Sequence, residues 1–254
     1  MLKCALRVFL GIMCVCATPL LGENGSVAIQ NAASENKHLY IFFYKDQNDK
    51  TINLQKIFDQ TQQKMGEQAK FVKIKSNDPS EKGLADRFNL KRTPMPFVLV
   101  LAPNGAITGS FFTFDEGQLK NALSSPGSAS TLKALQDRKL VFISLQNPKT
   151  QNNEAALRGV RAFKADSRFG SAAEIVQIDP SDKQEQPFLK QIGFKGDTTQ
   201  AVTILISPPA EVVGTYQGGT TKEQFIDDIQ KASSGCCPGG CCPGGCCPGG
   251  KCGG

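Results

Sequence analysis

The residues with the most distinctive chemistry in this sequence are its ten cysteines, which lie only near the two ends of the chain. Seven of them fall in the last nineteen residues, where Cys-Cys-Pro-Gly-Gly recurs three times: Cys236, Cys237, Cys241, Cys242, Cys246, Cys247 and Cys252. Each Pro-Gly pair favours a β-turn, which brings the flanking cysteines together. The Cys-x₃-Cys spacing is typical of thiolate metal ligands, and thiolates select soft ions. This spacing predicts a Cu(I) or Zn(II) site, and no other cofactor is indicated.

Two other interpretations of this tail stay open. In an oxidising compartment the seven thiols would form exchangeable disulfides, and adjacent cysteines close only strained, easily reduced rings. A perfect five-residue period is also what repeat expansion in a gene produces, and such an expansion need not have a function. Whichever interpretation holds, the tail at residues 233–254 has no large apolar side chains with which to form a packed core. We therefore expect a disordered tail when no ligand is bound.

The composition of the rest of the chain excludes several kinds of active site. Residues 17–235 contain no cysteine, which excludes a disulfide-stapled core, a cysteine-ligated metal site and a Cys-x-x-Cys redox centre there. The single histidine, His38, argues against a histidine-rich metal site and a Ser-His-Asp triad. Opposite charges are well mixed and no basic stripe alternates with aromatics, so nucleic acid is not an expected partner.

Residues 1–22 have the pattern of a secretory signal peptide. Lys3 and Arg7 form a basic start, residues 8–17 are apolar, and the small residues Ala17 and Gly22 both offer cleavage points. The apolar stretch is shorter than the about 20 residues that span a bilayer. We therefore expect an exported protein, periplasmic or secreted, with no stable membrane insertion after cleavage. The alternatives are a lipid anchor on one of the early cysteines and an uncleaved membrane anchor.

The order of apolar patterns predicts an α/β domain in the first half of the chain. Apolar runs at residues 39–44 and 97–101 are typical of buried strands, and residues 54–65 between them have helical spacing. Residues 71–74 alternate as a further strand, and Asn104-Gly105 is typical of a hairpin turn. With two short helices and a last strand after the turn, the predicted order is β-α-β-α-β-β-α.

The second half repeats this order. The offset between matching residues is 101 for the first strand, 104 in the middle of the domain and 106 near its end. The matched positions are Leu39–Phe43 with Leu140–Ser144; Phe71, Phe88 and Val98 with Ile175, Ile192 and Val202; and Leu119 and Leu123 with Phe225 and Ile229. Residues 124–128 have linker composition. The sequence thus predicts two tandem three-layer α/β/α sandwiches, over residues 36–125 and 130–232.

The stretch from Lys82 to Gly105 resembles the thioredoxin family. It contains a helical pattern, then Arg92-Thr93-Pro94-Met95-Pro96, an apolar strand and the Asn104-Gly105 turn. In that family a cis-proline opens the third strand about nine residues before such a turn, and Pro96 stands nine residues before Gly105. The resemblance implies two tandem thioredoxin-like domains, the second one degenerate, with Pro96 as the cis-proline of the first.

Both domains depart from the family at its catalytic motif. The family carries Cys-x-x-Cys at the start of its first long helix, where the helix N-terminus lowers the thiol pKa. This chain has residues 45–51 there in the first domain and residues 146–151 in the second, and neither stretch holds a cysteine. The second domain also places Gln200 where Pro96 would align. We therefore expect both domains to be redox-inactive and non-enzymatic.

The resemblance also implies a binding function. Redox-inactive domains of this family act as binding or spacing modules, and the backbone beside the cis-proline can pair with an extended peptide. Met95, Pro96 and Phe97 are then the expected peptide-binding edge, with an unidentified protein or peptide as partner. The alternative function is a thiol-disulfide carrier, in which the tail cysteines react and the body presents them to substrates.

Overall fold

The computed structural model of this protein describes residues 24–196 and 198–234, and within them the chain forms two successive units with the same order of elements. The first unit consists of α1 (Gly25–Ser34), β1 (His38–Tyr44), α2 (Asp49–Met65), β2 (Ala69–Lys75), α3 (Lys82–Arg87), β3 (Phe97–Leu101), β4 (Ile107–Phe111) and α4 (Glu116–Asn121). The second consists of α5 (Pro126–Gln136), β5 (Leu140–Leu145), α6 (Asn153–Ala165), β6 (Ala173–Ile178), α7 (Gln186–Gln191), β7 (Val202–Ser207), β8 (Glu211–Gln217) and α8 (Lys222–Ser234).

Each unit contains one mixed four-stranded sheet. The strand order is β2-β1-β3-β4 in the first and β6-β5-β7-β8 in the second. The first two strands of each sheet are parallel, and the other two pairs are antiparallel. Together with helices on both faces, this order confirms the expected pair of tandem α/β domains of thioredoxin-like topology.

Helices cover both faces of the first sheet, which is why its central strands are apolar without alternation. Leu39, Ile41 and Phe43 of β1 pack with α1 and α3 on one face. Tyr40 and Phe42 pack with α2 and α4 on the other face. The core of the domain therefore has two halves, one on each side of the sheet.

The second sheet has the same two faces, but its residues match the first at a different offset than expected. Val141, Ile143 and Leu145 of β5 pack with α5 and α7, while Phe142 packs with α6 and α8. Leu39 therefore corresponds to Val141, at an offset of 102, and the expected match at 101 is wrong. A shift of one residue would turn every side chain of the strand to the opposite face.

The same test corrects the match between β3 and β7. Val98 packs on the α2 side of the first sheet, whereas Val202 packs on the α5 side of the second, which is the side equivalent to α1. Val202 therefore corresponds to Phe97, which packs on the α1 side. The remaining expected matches, in β2 and β6 and near α3, α4, α7 and α8, lie on equivalent faces and are confirmed.

Each domain begins with a helix that precedes its first strand, and neither helix was predicted from the sequence. Helix α1 lies before residue 36, and α5 begins inside the segment expected to be a linker, with Ser125 as its N-cap and Pro126 at its first position. Serine and proline are typical of a helix start as well as of a linker. The buried residues of α1 are Gly25, Ala28 and Ala32, which are too small to give an obvious apolar period.

Both leading helices are held by a buried carboxylate at their N-terminus. Glu185 accepts a hydrogen bond from the Gly127 amide (2.8 Å) and another from the Ser125 hydroxyl (2.5 Å). Glu81 accepts one from the Gly25 amide (2.9 Å). A Cβ at either glycine would lie within 3.0 Å of side-chain atoms, the carboxylate among them, so a larger residue there would displace these side chains.

The junction between the domains is short and bonded from both sides. The Ser124 amide donates to Nε2 of His38, 3.2 Å away in the first domain, so this nitrogen is the unprotonated one. Burial also lowers the pKa of His38. The Gln136 side chain bonds both the amide (2.9 Å) and the carbonyl (2.7 Å) of Ile107. The two domains are therefore joined by polar contacts as well as by the chain.

Candidate functional site

The three residues expected to form a peptide-binding edge lie at the start of β3. The Met95–Pro96 peptide bond is cis. Pro96 and Phe97 are buried, whereas Met95 is partly exposed and its side chain packs against the core on the α1 side. The backbone rather than the side chains of this segment is thus what a second chain can reach.

The main chain of Met95 is unpaired. Within residues 24–196 and 198–234, neither its amide nor its carbonyl takes part in a hydrogen bond. The hydroxyl of the nearby Thr93 donates instead to the carbonyl of Asn89, 3.1 Å away. A partly exposed residue with a free backbone donor and a free backbone acceptor is a position at which another extended chain can pair.

In the second domain, the backbone at the equivalent position is hydrogen-bonded to a side chain of the same domain. The corrected match of β3 and β7 places Gln200 at the position of Met95 and Ala201 at that of Pro96, so the expected pairing of Gln200 with Pro96 is wrong. The Thr198 hydroxyl donates to the Gln200 carbonyl (2.6 Å) and accepts from the Gln200 amide (3.2 Å). Both backbone groups that are free in the first domain are therefore satisfied here.

A loop of the second domain also covers the neighbouring backbone. Gln151 donates its amide to the Thr199 carbonyl and accepts from the Ala201 amide, both at 2.8 Å, which forms an isolated parallel bridge. Residues 146–152 connect β5 to α6, whereas only residues 45–48 connect β1 to α2. The longer connection is what lets the second domain reach its own edge.

A cavity of about 560 Å³ lies beside Met95 at the corner where the family would carry its cysteines. Its walls include Lys45 and Asp46 from the loop after β1, Ser76 from the loop after β2, and Lys91. The residues that line it supply ammonium groups, one carboxylate, hydroxyls and amides, and no thiol or imidazole. This lining of charged and polar groups suits the binding of a polar chain.

An exposed aromatic residue next to this edge was not identified from the sequence. The ring of Phe112 lies 5.1 Å from that of Phe97, the residue that follows Pro96. Phe112 is 43% exposed, although it is among the largest side chains of the domain. Phe112 directly follows β4 and lies opposite the start of β3, which could have pointed to it, but this position follows only from the register of the two strands.

The described residues contain no alternative centre for metal chemistry. Within residues 24–196 and 198–234, no group of three or more His, Cys, Asp or Glu side chains could hold a metal ion. The tail cysteines expected to bind Cu(I) or Zn(II) lie outside the described residues, as does the expected signal peptide. In the part of the chain that is described, no helix has the length and apolar character needed to cross a membrane.

Comparison with known proteins gives structural neighbours of low similarity. No protein-family model and no curated protein matches the chain. The first two thioredoxin domains of Saccharomyces cerevisiae Eps1p are 11% identical, over 82% of this chain and 96% of that one, with a TM-score of 0.33. The same domains of Naumovozyma dairenensis Eps1p are 12% identical, over 80% and 94%, with a TM-score of 0.32.

A single-domain neighbour is the Drosophila melanogaster thioredoxin Deadhead, which is 23% identical over 36% of this chain and 83% of that one, with a TM-score of 0.30. All three neighbours are thioredoxin-fold proteins, and the two Eps1p structures contain tandem thioredoxin domains. We assign the thioredoxin-like fold of this chain from the strand order and register of its two sheets.

Proposed function

We propose that this protein is an exported, non-catalytic binding protein whose first domain pairs with an extended peptide segment at Met95. The observation that carries the proposal is the contrast between two equivalent positions. The Met95 amide and carbonyl are free within the described residues, whereas those of Gln200 are bonded to Thr198. The second domain then serves as a spacer or support, because its own chain occupies the equivalent edge.

The proposal predicts where an added peptide binds. The test uses the chain of residues 23–254 labelled with ¹⁵N, and a capped peptide of about nine residues with alternating valine and threonine as the probe. We expect shift changes and slower hydrogen exchange at the Met95 amide, and none at the Gln200 amide, which is the internal control. The same peptide methylated on its central nitrogens should lose the effect, because it cannot donate to the Met95 carbonyl.

Two results would overturn this proposal. One is equal binding of the peptide and its N-methylated form, since backbone pairing would then not be involved. The other is a set of shift changes centred on the second domain. Export is tested separately by N-terminal sequencing of the protein recovered from the culture medium or periplasm, where we expect a chain that begins at residue 23.

For the C-terminal tail we propose the binding of a soft metal ion, Cu(I) or Zn(II). Support comes from the seven cysteines and their Cys-x₃-Cys spacing. The test is anaerobic titration of each ion into the chain of residues 23–254 and into one that ends at residue 234. Equal affinities would end the metal proposal. Reduction of a small-molecule disulfide by the longer chain alone would instead favour the thiol-disulfide carrier.

A further inference from the structure

The second domain has an open strand edge along β6. This strand lies at the end of its sheet and pairs only with β5. The Ile178 carbonyl accepts from the amide of Gln146, the residue after β5, 3.1 Å away. Both backbone groups of a residue in a parallel strand point to the same side, and the side alternates along the strand. The amides and carbonyls of Ile175 and Gln177 therefore point away from β5.

These outward groups have no partner in the part of the chain that the structure describes. Within residues 24–196 and 198–234, neither Ile175 nor Gln177 forms a backbone hydrogen bond beyond its own sheet. At the start of the strand, the Ala173 carbonyl points the same way and accepts from the side chain of Lys164. Ile175 and Gln177 thus offer two donors and two acceptors to an added strand.

The equivalent edge of the first domain is protected by charge. Three of the seven residues of β2 are lysines: Lys70, Lys73 and Lys75. The ammonium groups of Lys70 and Lys73 lie 2.8 and 3.1 Å from the carboxylates of Glu35 and Asp59. Lysines on an edge strand hinder the pairing of another strand. β6 contains no lysine, so the second domain lacks this protection.

A groove of about 520 Å³ lies along the open edge, and we call it the β6 groove. Residues 174–178 of β6 line one wall, and α5 lines the other with residues that include Ser130 and Ala134. Asn104, from the hairpin turn of the first domain, also contributes to the lining. The outward groups of β6 therefore face a space that an extended chain can enter.

The walls of the β6 groove carry more carboxylates than ammonium groups. The carboxylates are those of Asp137, Glu174, Asp179, Asp182 and Glu185, and the ammonium groups are those of Lys133 and Lys139. Both lysines are already paired, with Asp137 at 2.5 Å and with Glu174 at 3.2 Å. The groove therefore has a negative charge that its own lysines do not balance.

Asp179 and Asp182 are the exposed carboxylates beyond the end of β6. Asp179 follows the strand directly, and neither side chain forms an ion pair within residues 24–196 and 198–234. Hydrogen bonds from Asn147 and Ser181, at 2.9 and 2.7 Å, hold the pKa of Asp179 below its ordinary value. This carboxylate is therefore ionised at neutral pH, and this end of the groove favours a cation.

We propose that the β6 groove binds an extended peptide that carries a basic side chain beside its paired segment. The peptide adds a strand to the sheet through Ile175 and Gln177, and its lysine or arginine lies against Asp179 and Asp182. Because α5 forms a wall of the groove, the occupant is a single peptide chain, since a second copy would bring its own α5 to the same place. This site goes beyond the function proposed at Met95, because it is a different edge in the other domain.

The test measures which peptides protect the edge. The probe is a capped peptide of alternating valine and threonine with arginine at both ends, and its two controls carry glutamine or glutamate instead of arginine. Each is titrated at low salt into the ¹⁵N-labelled chain of residues 23–254. We expect the arginine peptide to slow hydrogen exchange at the Ile175 and Gln177 amides and to bind about fivefold tighter than the glutamine peptide. The glutamate peptide should bind more weakly still, and added salt should reduce these differences.

Matched substitutions test the charge. Asp179→Asn combined with Asp182→Asn should abolish the preference for the arginine peptide and leave the weaker backbone pairing in place. The control is Glu211→Gln combined with Asp227→Asn, which makes the same change in net charge at exposed residues outside the groove. It should keep the preference, so a preference that is lost equally in both double variants would contradict the role of Asp179 and Asp182.

A second pair of substitutions tests the backbone. Gln177→Pro removes an outward amide that β5 does not use, and we expect it to weaken binding of the arginine peptide by about fivefold or more. Lys73→Pro makes the same change at the equivalent position of β2 and should leave binding intact. If Gln177→Pro does not fold, the arginine peptide methylated on its central nitrogens decides, because it should no longer protect the edge.

Three results would overturn the site. One is an arginine peptide that leaves exchange at Ile175 and Gln177 unchanged, and another is equal binding of its N-methylated form. The third is protection of these two amides in the free chain that grows with protein concentration, which would assign the edge to a second copy. The Met95 amide reports on the first domain separately, so each of the two proposed sites can fail without the other.

Discussion

The strongest stability prediction concerns Glu185, the carboxylate that holds the leading helix of the second domain. Glu185 is 5% exposed and accepts two hydrogen bonds, from the Gly127 amide and the Ser125 hydroxyl. Glu185→Ala removes both acceptors at once. The Gly127 amide stays buried without a partner, whereas the partly exposed Ser125 hydroxyl can turn toward water.

The expected loss follows from these two bonds. A hydrogen bond to a charged group contributes about 1.5–3 kcal/mol, and an amide left unpaired in the interior loses the full amount. With partial recovery at Ser125, Glu185→Ala should lower the free energy of unfolding by about 3 kcal/mol. For a domain of about 100 residues this corresponds to a melting temperature lower by about 12 °C or more. Glu185→Gln keeps one acceptor and the shape, so we expect a loss of about 1 kcal/mol.

The assay is urea unfolding of the whole chain, with hydrogen exchange read by mass spectrometry to separate the two domains. Glu185→Ala should increase exchange in α5 and β5 and leave the first domain unchanged. The control is Glu211→Ala, which removes an exposed carboxylate of the same domain and should change stability by less than about 0.5 kcal/mol. A Glu185→Ala chain as stable as this control would refute the assignment of Glu185 as the anchor of α5.

Two further predictions use features of the same domains. Burial lowers the pKa of His38 in the folded protein, so as the pH falls the unfolded chain takes up a proton on this residue before the folded chain does. The contribution of His38 to the free energy of unfolding should therefore be complete above about pH 6.5 and should be lost as the pH falls toward the folded-state pKa. His38→Gln should remove that part of the pH dependence, measured as unfolding free energy between pH 8 and 5, and an unchanged profile would contradict the assignment. Gly159→Ala would place a Cβ 1.8 Å from the Thr220 carbonyl oxygen, and we expect it to cost about 3 kcal/mol. The control is Gly83→Ala, where a Cβ would have no atom within 4 Å, and we expect it to raise the free energy of unfolding by about 0.5 kcal/mol, as measured by thermal unfolding of both variants. Equal effects of the two substitutions would show that Gly159 of α6 does not pack closely against the loop at Thr220.

The order of strands and helices could be predicted from the sequence because both central strands are buried on two faces. Such strands stand out as continuous apolar runs, such as residues 97–101. Because these strands are apolar on both faces, their sequence does not alternate and does not show which residues face which helices. Leu39 and Val141 could therefore be matched correctly only after the helices packed against them were known.

The sequence was enough to locate the candidate site, but not to show whether its backbone groups are free or hydrogen-bonded. The position of Pro96 before a strand and an Asn-Gly turn was enough to locate the edge. In the second domain the hydroxyl of Thr198 bonds the equivalent backbone groups, and the direction of a threonine hydroxyl in a loop cannot be predicted from the sequence. The anchors Glu81 and Glu185 were missed because isolated glutamates in a charged stretch are typical of a helix surface, and their partners lie 56 and 58 residues away.

The junction between the domains has a mechanical consequence. Ser124 is bonded to His38 of the first domain, and the next residue, Ser125, is bonded to Glu185 of the second. Two consecutive residues are thus hydrogen-bonded to different domains, so a rotation of the backbone between them would strain or break one of these bonds. A change in the relative orientation of the two domains at this point would therefore break hydrogen bonds as well as bend the chain.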